Sequence, residues 1–386
     1  MSKIKIGLVA EFNPLHNGHS YLITQAKNFI KNNGNSDGEI ICVMSEFFTQ
    51  RGECAIIDGY NRAKCAVEEG CSVVIALPYL YSVAYADDFA FKSIELLVNC
   101  GITHLIFGSE LEDLTIFDKM YEIEQSKHYK ESYKKLLKKG YSHAKIVSTL
   151  LNIDNNLPNT TLAYSYYKAL KVLKPNVELI IIKREGQGLN TKNFDNTKKF
   201  LSATAIRNNI NNKKITSYLS ENMIQALEKN TKISENDFYP LIKYKILTLG
   251  KENLKNIYDI SEGLENRIYN CNLISTNYQQ LIDNVSTKRY SRKKIQRILL
   301  HILLNITKET YDKYNTTKYF RVLAIDKNKT SLLKEINNKN SLHLTTTLNS
   351  RNSENFVLDI KVARIYNLVA QNKDIFKSRA LLVDKK

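Results

Sequence analysis

The opening segment IKIGLVAEFNPLHNGHS constrains the fold of this chain most, because it joins an apolar strand to a helix through a loop that carries two histidines. Residues 4–10 form a short apolar run, which is typical of a buried strand in a parallel sheet. From His19 to residue 30 the apolar side chains recur at helical spacing. This order predicts the first strand and the first helix of an α/β fold.

The two histidines, His16 and His19, are therefore placed where a helix N-terminus directs free backbone N–H groups at a ligand. Such an end binds phosphate through those donors and through its dipole. Two imidazoles there can stabilise charge on a phosphorus under attack without forming a covalent bond to it. Gly18 between them lets the backbone approach the ligand closely. An isolated pair at this spacing is more often a surface feature, but the preceding strand and the Asn-Pro turn favour a phosphate site.

The first two hundred residues alternate apolar runs with segments of helical periodicity. After the opening strand, the sequence predicts strands at 40–44, 72–77, 104–107 and 178–182, and helices at 59–69, 88–99, 160–173 and within the polar stretch 110–139. This alternation predicts an α/β, Rossmann-like fold with a parallel sheet covered by helices on both faces. Ligands of such sheets bind at the carboxyl ends of the strands, near a switch point in strand order.

Length and charge both suggest a division near residue 210. A chain of 386 residues is long for one domain, so we expect an α/β domain over 1–210 and a mainly helical one over 211–386. The first carries 25 Lys and Arg against 22 Asp and Glu, and the second carries 31 against 17. This asymmetry favours a polyanionic partner, nucleic acid above all, over a merely solvated lysine-rich surface.

The sequence contains no apolar run near the ~20 residues that span a bilayer, and its first residues do not resemble a signal peptide. The six cysteines form no CxxC pair and no zinc-type spacing with histidine. We therefore expect a cytoplasmic protein with reduced thiols, no membrane association and no bound metal site.

Other polar residues and glycines follow the later predicted strands or open a helix, where they would reach the same edge of the sheet. Arginine suits this position because its guanidinium binds phosphate oxygens in a bidentate manner. Plain turns and helix caps would also explain several of these residues, Asn159 above all. The candidates are Gln50, Arg51, Gly108, Asn159, Arg184, Ser202, Thr204 and Arg207.

The segment 286–297 contains six basic residues in twelve and precedes an apolar helix. Lysine and arginine neutralise phosphates, and a tyrosine among them can stack on a base. Helical spacing predicts that Arg289, Lys293 and Arg297 share one face, while Ile295, Ile298 and Leu299 enter the core. A solvated basic helix is the alternative. The candidates for nucleic-acid contact are Lys288, Arg289, Tyr290, Lys293 and Arg297.

The string His16-Asn17-Gly18-His19 matches the HxGH signature of the nucleotidyltransferase superfamily, and GLVAEFNPLHNGH resembles the bacterial tRNA(Met) cytidine acetate ligase family. Four further strings are similar to that family's motifs: MSEFFTQRGEC, PNTTL, SATAIR and TKRYSRKKIQR. The first of them departs from the family pattern MSGxFxQRGEP at two positions. Glu46 stands where glycine is usual, and Cys54 stands where proline is usual.

This resemblance implies an enzyme that uses ATP and acetate to form N4-acetylcytidine at the wobble position of elongator tRNA(Met). The reaction implied passes through acetyl-adenylate and releases pyrophosphate and AMP. Magnesium is expected with ATP, and no obligate protein partner is expected. The resemblance implies His16 and His19 as catalytic residues. It implies as ATP contacts Val9, Ala10, Glu11, Phe12, Asn13, Pro14, His16, Asn17, Gly18, His19, Gly108, Asn159, Arg184, Ser202, Thr204 and Arg207.

Two other functions stay open from the sequence. The first is a small-metabolite adenylyl- or cytidylyltransferase whose basic second half is an accessory domain. The second is an RNA-binding protein that keeps a nucleotide-binding fold without catalysis. Exchange of pyrophosphate into ATP separates an enzyme from a binding module, and a requirement for a phosphorylated metabolite separates the two enzymes.

Overall fold

The computed structural model describes residues 3–35, 37–152, 158–173, 175–184, 197, 199–261, 263–339, 342–375 and 378–384. Within them the strands are β1 (Lys5–Ala10), β2 (Glu39–Ser45), β3 (Val73–Leu77), β4 (His104–Ser109), β5 (Glu178–Lys183), β6 (Tyr319–Asp326), β7 (His343–Thr345) and β8 (Leu381–Val383). The helices up to the end of the predicted first domain are α1 (Asn17–Asn32), α2 (Gly59–Glu69), α3 (Tyr79–Ser82), α4 (Ala86–Asn99), α5 (Leu114–Gln125), α6 (Lys127–Lys138), α7 (His143–Leu150), α8 (Pro158–Leu173) and α9 (Ala203–Asn208). The later helices are α10 (Glu221–Lys229), α11 (Glu235–Leu254), α12 (Leu264–Ile274), α13 (Tyr278–Val285), α14 (Arg292–Leu303), α15 (Lys308–Tyr314), α16 (Ser331–Lys339) and α17 (Val357–Ala370).

The sheet has the strand order β5-β4-β1-β2-β3-β6-β7, and β8 also pairs with β6. The first five strands are parallel to one another, as predicted. The chain builds outward from β1 through β2 to β3 and then returns to place β4 on the other side of β1. The switch point therefore lies between β1 and β4, so a ligand site is expected where these two strands end.

Alternation along the strands divides the apolar core into two layers. Ile41 and Val43 face one layer, whereas Ile40, Cys42 and Met44 face the other. Helices α1, α2 and α10 cover the second of these faces, and α4, α8 and α11 to α14 contribute to the first. Since strands buried on both faces read as continuous apolar runs, this arrangement explains the sequence of β2.

Local signals set the helix boundaries near the site. Asp58 caps α2 because its carboxylate accepts a hydrogen bond from the N–H of Asn61 at 3.0 Å. The helix ends before Gly70, whose φ of 141° favours glycine. The α2 boundaries agree with the predicted 59–69. The polar stretch 110–139 instead forms two helices, because Ser126 ends α5 and caps α6.

The second half is mainly helical, as predicted, but it also returns to the sheet. Strand β6 pairs antiparallel with β3, and β7 and β8 pair parallel with β6. The sequence did not predict that the second half pairs with β3, since pairing between residues about 250 positions apart leaves no local pattern. Because β6 adjoins β3, the second half is built directly onto the edge of the parallel sheet.

Candidate active site

The HxGH residues form the N-terminus of α1, which begins at Asn17, two residues earlier than predicted. His16 is the N-cap, and its Nδ1 accepts a hydrogen bond from the N–H of Gly18 at 3.1 Å. The Nδ1 of His19 accepts one from the N–H of His16 at 3.3 Å. The two ring centroids are 3.8 Å apart. Since both Nδ1 atoms are acceptors, the neutral rings carry their protons on Nε2 and can donate from there.

Burial keeps both imidazoles uncharged. Burial, together with the charge of the neighbouring Arg184 guanidinium, lowers the pKa of His16 well below the ordinary 6.5 and that of His19 to about 3. At neutral pH the helix N-terminus therefore presents two neutral N–H donors beside a cation. That combination suits an anionic ligand, because the donors need not lose a proton to bind it.

An open cavity of about 550 Å³, counting the solvent in its mouth, lies at the ends of β1, β4 and β5. It brings together four predicted ATP contacts, namely His16, Gly18, His19 and Gly108, with Arg184 as a fifth. This is the place that the switch point between β1 and β4 indicates. Its remaining lining residues are Tyr21, Leu22, Ile182, Lys183, Phe200 and Leu201.

Gly108 and Arg184 adjoin each other across β4 and β5. Gly108 lies within β4, opposite Ile182, rather than in the following loop. A Cβ at residue 108 would lie 3.3 Å from Cγ of Arg184, so a side chain there would crowd the arginine. The N–H of Arg184 donates to the carbonyl of Ser109 at 2.9 Å, which extends the pairing of β4 and β5 to the backbone of this arginine.

Arg207 lies outside the cavity lining and is held by two contacts. It donates from Nη1 to the carbonyl of Asn13 at 2.8 Å and from Nη2 to the carboxylate of Glu53 at 2.5 Å. Asn13 itself binds backbone groups of the loop after β2, donating to the carbonyl of Cys54 at 2.9 Å and accepting from Ile56 at 2.8 Å. These contacts tie together the loops that follow β1 and β2. The sequence prediction did not identify Glu53 as the partner of Arg207.

Most of the other candidate residues after β1 and β2 form hydrogen bonds within the protein or are buried. Glu11 accepts a hydrogen bond from the N–H of Gln50 at 2.6 Å, and burial raises the pKa of its carboxyl. The Gln50 side chain donates to the carbonyl of Ala84 at 3.0 Å, and Asn17 donates to that of Ser217 at 2.9 Å. The side chains of Ala10, Phe12 and Pro14 are buried, whereas Val9 and Arg51 are partly exposed.

The predictions of two helix caps, Asn159 and Ser202, have different outcomes. Asn159 was predicted as the N-cap of a helix from residue 160, but α8 begins at Pro158. The carboxylate of Glu110 accepts from the Asn159 side chain at 2.6 Å and from the N–H of Thr160 at 2.6 Å. Ser202 is the cap of α9, as predicted, and accepts from the N–H of Ala205 at 3.1 Å. Thr204 is partly exposed one residue into that helix.

Glu46, the first departure from the family pattern, forms a buried ion pair with Arg321 of β6. Both side chains are 4% exposed. Burial raises the pKa of Glu46 to about 7, although the Arg321 charge lowers it, and its second carboxylate oxygen has no hydrogen-bond partner among the described residues. Glu46, where the family usually has glycine, therefore has an ion-pair partner in Arg321, on a strand that the second half adds to the sheet.

Cys54, the second departure, supplies a backbone N–H that proline lacks. This N–H donates to the carboxylate of Glu235 at 3.0 Å, at the start of α11. Burial raises the pKa of Glu235, and the hydrogen bond from Cys54 offsets part of the cost of burying this carboxylate. The contact fastens the loop after β2 to the helical second half.

Replacing Cys54 with proline should lower the free energy of unfolding by about 1–3 kcal/mol, because a buried carboxylate would lose a hydrogen bond. Cys54→Ala is the matched control, since it removes the thiol and keeps the N–H. Urea unfolding of both variants checks the prediction. Equal stability of the two variants would show that the contact to Glu235 contributes nothing.

The basic segment differs from the predicted single face. Helix α14 begins at Arg292 after the cap Ser291, so Arg289 precedes the helix. Arg297 was predicted as an exposed contact but is 4% exposed, with its guanidinium 4.3 Å from the Tyr85 ring centroid. It points inward because this part of α14 packs on the loop after β2, where its Nη1 lies 3.5 Å from the carbonyl oxygen of Gln50. Lys288 and Arg289 are exposed.

Helix α14 packs directly against the Gln50-Arg51-Gly52 turn. A Cβ at Gly52 would lie 2.6 Å from the backbone N of Arg297, and Gly52 has a φ of 75°. Burial and the nearby Arg51 charge lower the pKa of Lys293 to about 8. The Tyr290 hydroxyl lies 2.9 Å from that of Ser261. The basic segment thus begins on the surface and ends against a loop of the candidate active site.

Three further properties concern the described residues as a whole. They contain no group of three or more His, Cys, Asp and Glu side chains arranged to hold a metal ion. All six cysteines are free, and five of them are buried. None of the helices in these ranges is both long enough and apolar enough to cross a membrane.

Comparison with known proteins shows the family of this chain. The family described as HIGH Nucleotidyl Transferase matches residues 3–380. The tRNA(Met) cytidine acetate ligase of Caldanaerobacter subterraneus subsp. tengcongensis is 33% identical over 96% of this chain and 97% of its own length. The protein of the same name from Clostridium kluyveri is 34% identical over 98% and 99%.

Solved structures give the same result. The apo structure of Thermotoga maritima TmcAL has a TM-score of 0.88 and 26% identity, covering 99% of this chain and 100% of that one. A second structure of that protein, bound with alpha-thio ATP, has a TM-score of 0.83 and 26% identity over 96% and 95%. The chain therefore belongs to the HIGH nucleotidyl transferases and, among them, to the tRNA(Met) cytidine acetate ligase family.

Proposed function

We propose that this chain is an ATP-dependent ligase that acetylates the wobble cytidine of elongator tRNA(Met). The observation that carries the proposal is the pair of neutral histidines, His16 and His19, at a helix N-terminus beside Arg184. Neutral donors that line a cavity next to a guanidinium suit a triphosphate rather than a neutral substrate. The likeness to a protein solved with alpha-thio ATP supports the same ligand.

In the proposed first step, a carboxylate oxygen of acetate attacks the α-phosphorus of ATP. The bond from this phosphorus to the bridging oxygen breaks, which gives acetyl-adenylate and pyrophosphate. No protein nucleophile is needed, since the protein's task is to position the reactants and to stabilise charge. His16 and His19 would donate from Nε2 to oxygens of the reacting phosphate, and Arg184 would balance charge on the phosphates.

In the proposed second step, the exocyclic amine of cytidine attacks the acetyl carbon. The bond from that carbon to the phosphate oxygen breaks, AMP leaves, and the amine loses a proton to solvent. The basic segment would dock the tRNA, because Lys288 and Arg289 are exposed while α14 packs on the Gly52 turn. An RNA bound at these exposed residues would then extend along α14 toward the ATP cavity.

The remaining proposals concern what accompanies the substrates. ATP would enter as its magnesium complex, with the metal carried on the triphosphate, since the Glu11 and Glu53 carboxylates are already bound to Gln50 and Arg207. Acetate is proposed as the acyl donor from the family alone. A cytoplasmic location is proposed because all six cysteines are free. We propose no obligate protein partner.

Incorporation of labelled acetate into unmodified elongator tRNA(Met) tests the function. With ATP, the label should appear at the anticodon cytidine, and pyrophosphate and AMP should form in equal amounts. Omission of ATP should abolish the reaction. Consumption of ATP only when a small phosphorylated metabolite is supplied would instead identify a metabolite nucleotidyltransferase.

Reversing two exposed charges, in Lys288→Glu/Arg289→Glu, should weaken tRNA binding at least tenfold and flatten its dependence on salt, because fewer counterions are released. Exchange of pyrophosphate into ATP with acetate should stay within about twofold, because neither residue lines the cavity. Filter binding at several salt concentrations and the exchange assay measure the two effects.

Lys134→Glu/Lys135→Glu is the matched control, since these lysines are equally exposed but lie on α6. It changes the net charge by the same amount and should leave tRNA affinity close to that of the wild-type protein. Equal losses in the two double variants would mean that the overall charge, rather than the segment before α14, attracts the RNA.

A further inference from the structure

We propose that Arg62 of α2 is a positioning residue for adenylation, which holds the loops after β1 and β2 in the arrangement that the HxGH residues require. This inference rests on the proposed function, because its readout is the first step of that reaction. Arg62 is 0% exposed and was not among the residues that the sequence singled out. It does not line the cavity, so it would affect the reaction only through other residues.

The Arg62 guanidinium binds four backbone carbonyls from three segments. Its Nε donates to Ile57 at 3.0 Å and its Nη1 to Ser45 at 3.1 Å. Nη1 also donates to the carbonyl of Glu11, and Nη2 donates to that of Glu46. Glu11 lies in the loop after β1, Ser45 and Glu46 at the end of β2, and Ile57 just before α2. One side chain therefore joins the carboxyl ends of two neighbouring strands.

A buried cation among carbonyl groups needs an explanation, because removing a charge from water is unfavourable and an apolar side chain would avoid it. Arginine offers what no apolar side chain can, namely a rigid planar fork with five N–H donors. Lysine has one nitrogen at the end of a flexible chain and cannot reach four oxygens in these directions. The arrangement of acceptors thus selects a guanidinium in particular.

The loop that Arg62 holds leads directly to the proposed catalytic histidines. Glu11 is bound at both ends, by Arg62 through its carbonyl and by the N–H of Gln50 through its carboxylate. Asn13, two residues on, is bound to the loop after β2. His16 follows three residues later as the cap of α1. A shift of Glu11 would therefore be transmitted toward the His16 and His19 donors, and a misplacement of about 1 Å can reduce a rate ~100-fold.

The test is exchange of labelled pyrophosphate into ATP with acetate, measured on the full chain for Arg62→Lys and Arg62→Ala. We expect Arg62→Lys to lower kcat at least tenfold while KM for ATP changes less than threefold. Millimolar methylguanidinium should restore part of the kcat of Arg62→Ala, because it can occupy the vacated space and donate to the same carbonyls. Thermal unfolding defines the temperature at which each variant is folded.

Ile336→Ala is the matched control for loss of a buried side chain. Ile336 is 1% exposed on α16, and its neighbour Glu335 binds Lys5 at the amino end of β1, opposite the site. It should lower the unfolding temperature by several degrees, leave kcat within about twofold and show no response to methylguanidinium.

Each remaining outcome decides against the proposal. If Arg62→Lys keeps its kcat while its unfolding temperature falls as in Ile336→Ala, Arg62 is only a stabilising residue. If neither Arg62 variant folds, with or without methylguanidinium, the residue serves folding and the positioning role is overturned. If the wild-type protein shows no exchange, the proposed adenylation fails and the role of Arg62 fails with it, whereas normal wild-type exchange confines a failure to Arg62.

Discussion

His16→Ala should lower the rate of pyrophosphate exchange by about 100- to 1000-fold, the loss expected when one preorganised donor to a reacting phosphate is removed. His19→Ala should have an effect of similar size, because both rings present a neutral Nε2 donor at the same helix N-terminus. The exchange assay with acetate measures both, and equilibrium binding of ATP shows how much of the loss lies in the ground state.

His16 also caps α1, so its replacement by alanine removes two functions at once. His16→Asn separates them, because asparagine is a good N-cap but places no donor at the position of Nε2. We expect His16→Asn to be as stable as the wild-type protein within about 1 kcal/mol and still inactive. Full activity in His16→Asn would mean that the histidine acts only as a cap.

The lowered pKa values of the two buried histidines predict how the rate depends on pH. Because burial lowers both pKa values below the ordinary 6.5, the rings are already neutral in the free protein throughout pH 6–8. The profile of kcat/KM for ATP, which reports on the free enzyme, should therefore show no histidine inflection near pH 6.5. His128→Ala, on the exposed side of α6, is a control that should change neither the rate nor the profile.

Arg321→Met should lower the free energy of unfolding by about 3–5 kcal/mol near pH 8, the largest stability loss that we expect from a single substitution in this chain. Removing the arginine leaves the Glu46 carboxylate buried without its counter-ion, and it also removes a donor to the Tyr60 hydroxyl at 3.3 Å. The double variant Glu46→Gln/Arg321→Met should be more stable than Arg321→Met alone, since it leaves no buried charge.

The loss in Arg321→Met should shrink toward pH 5. Burial already raises the pKa of Glu46 to about 7, above its ordinary 4.5, so the folded protein binds this proton more tightly than the unfolded chain does. Stability from this group is therefore present at low pH and is lost as the pH rises through about 7. Without Arg321 the carboxyl takes up its proton still more readily. A loss that is equal at pH 5 and pH 8 would show that Glu46 is not the unpaired charge.

Local patterns in the sequence predicted the elements near the site well. The first five strands and α2 lie where apolar runs and helical periodicity placed them, because strands buried on both faces and amphipathic helices leave strong local signals. Helices α3 and α7 were not predicted, and α8 starts earlier than its capping residue suggested. Near the start of α8 the N–H of Thr160 donates to the carboxylate of Glu110, fifty residues earlier in the chain. The sequence around Asn159 contains no pattern that predicts this contact.

The site was predicted as a set of residue types rather than as a geometry. The sequence placed His16, His19, Gly108 and Arg184 at strand ends, and the structure brings them around one cavity. It could not show that Arg207 is held by Glu53 or that Arg297 faces inward onto Tyr85. Charge alone does not distinguish an arginine that binds RNA from one that joins two parts of a fold.

By itself the sequence determined the α/β class, the strand-loop-helix junction that carries the two histidines, and the family to which the chain belongs. These follow from periodicity and short motifs, which act over a few neighbouring residues. The tertiary structure alone decided that β6 joins the sheet beside β3, that Glu46 and Cys54 find partners in Arg321 and Glu235, and that Arg62 binds carbonyls of both loops. Such contacts join residues far apart in the chain, so only the packing of the folded protein could bring them together.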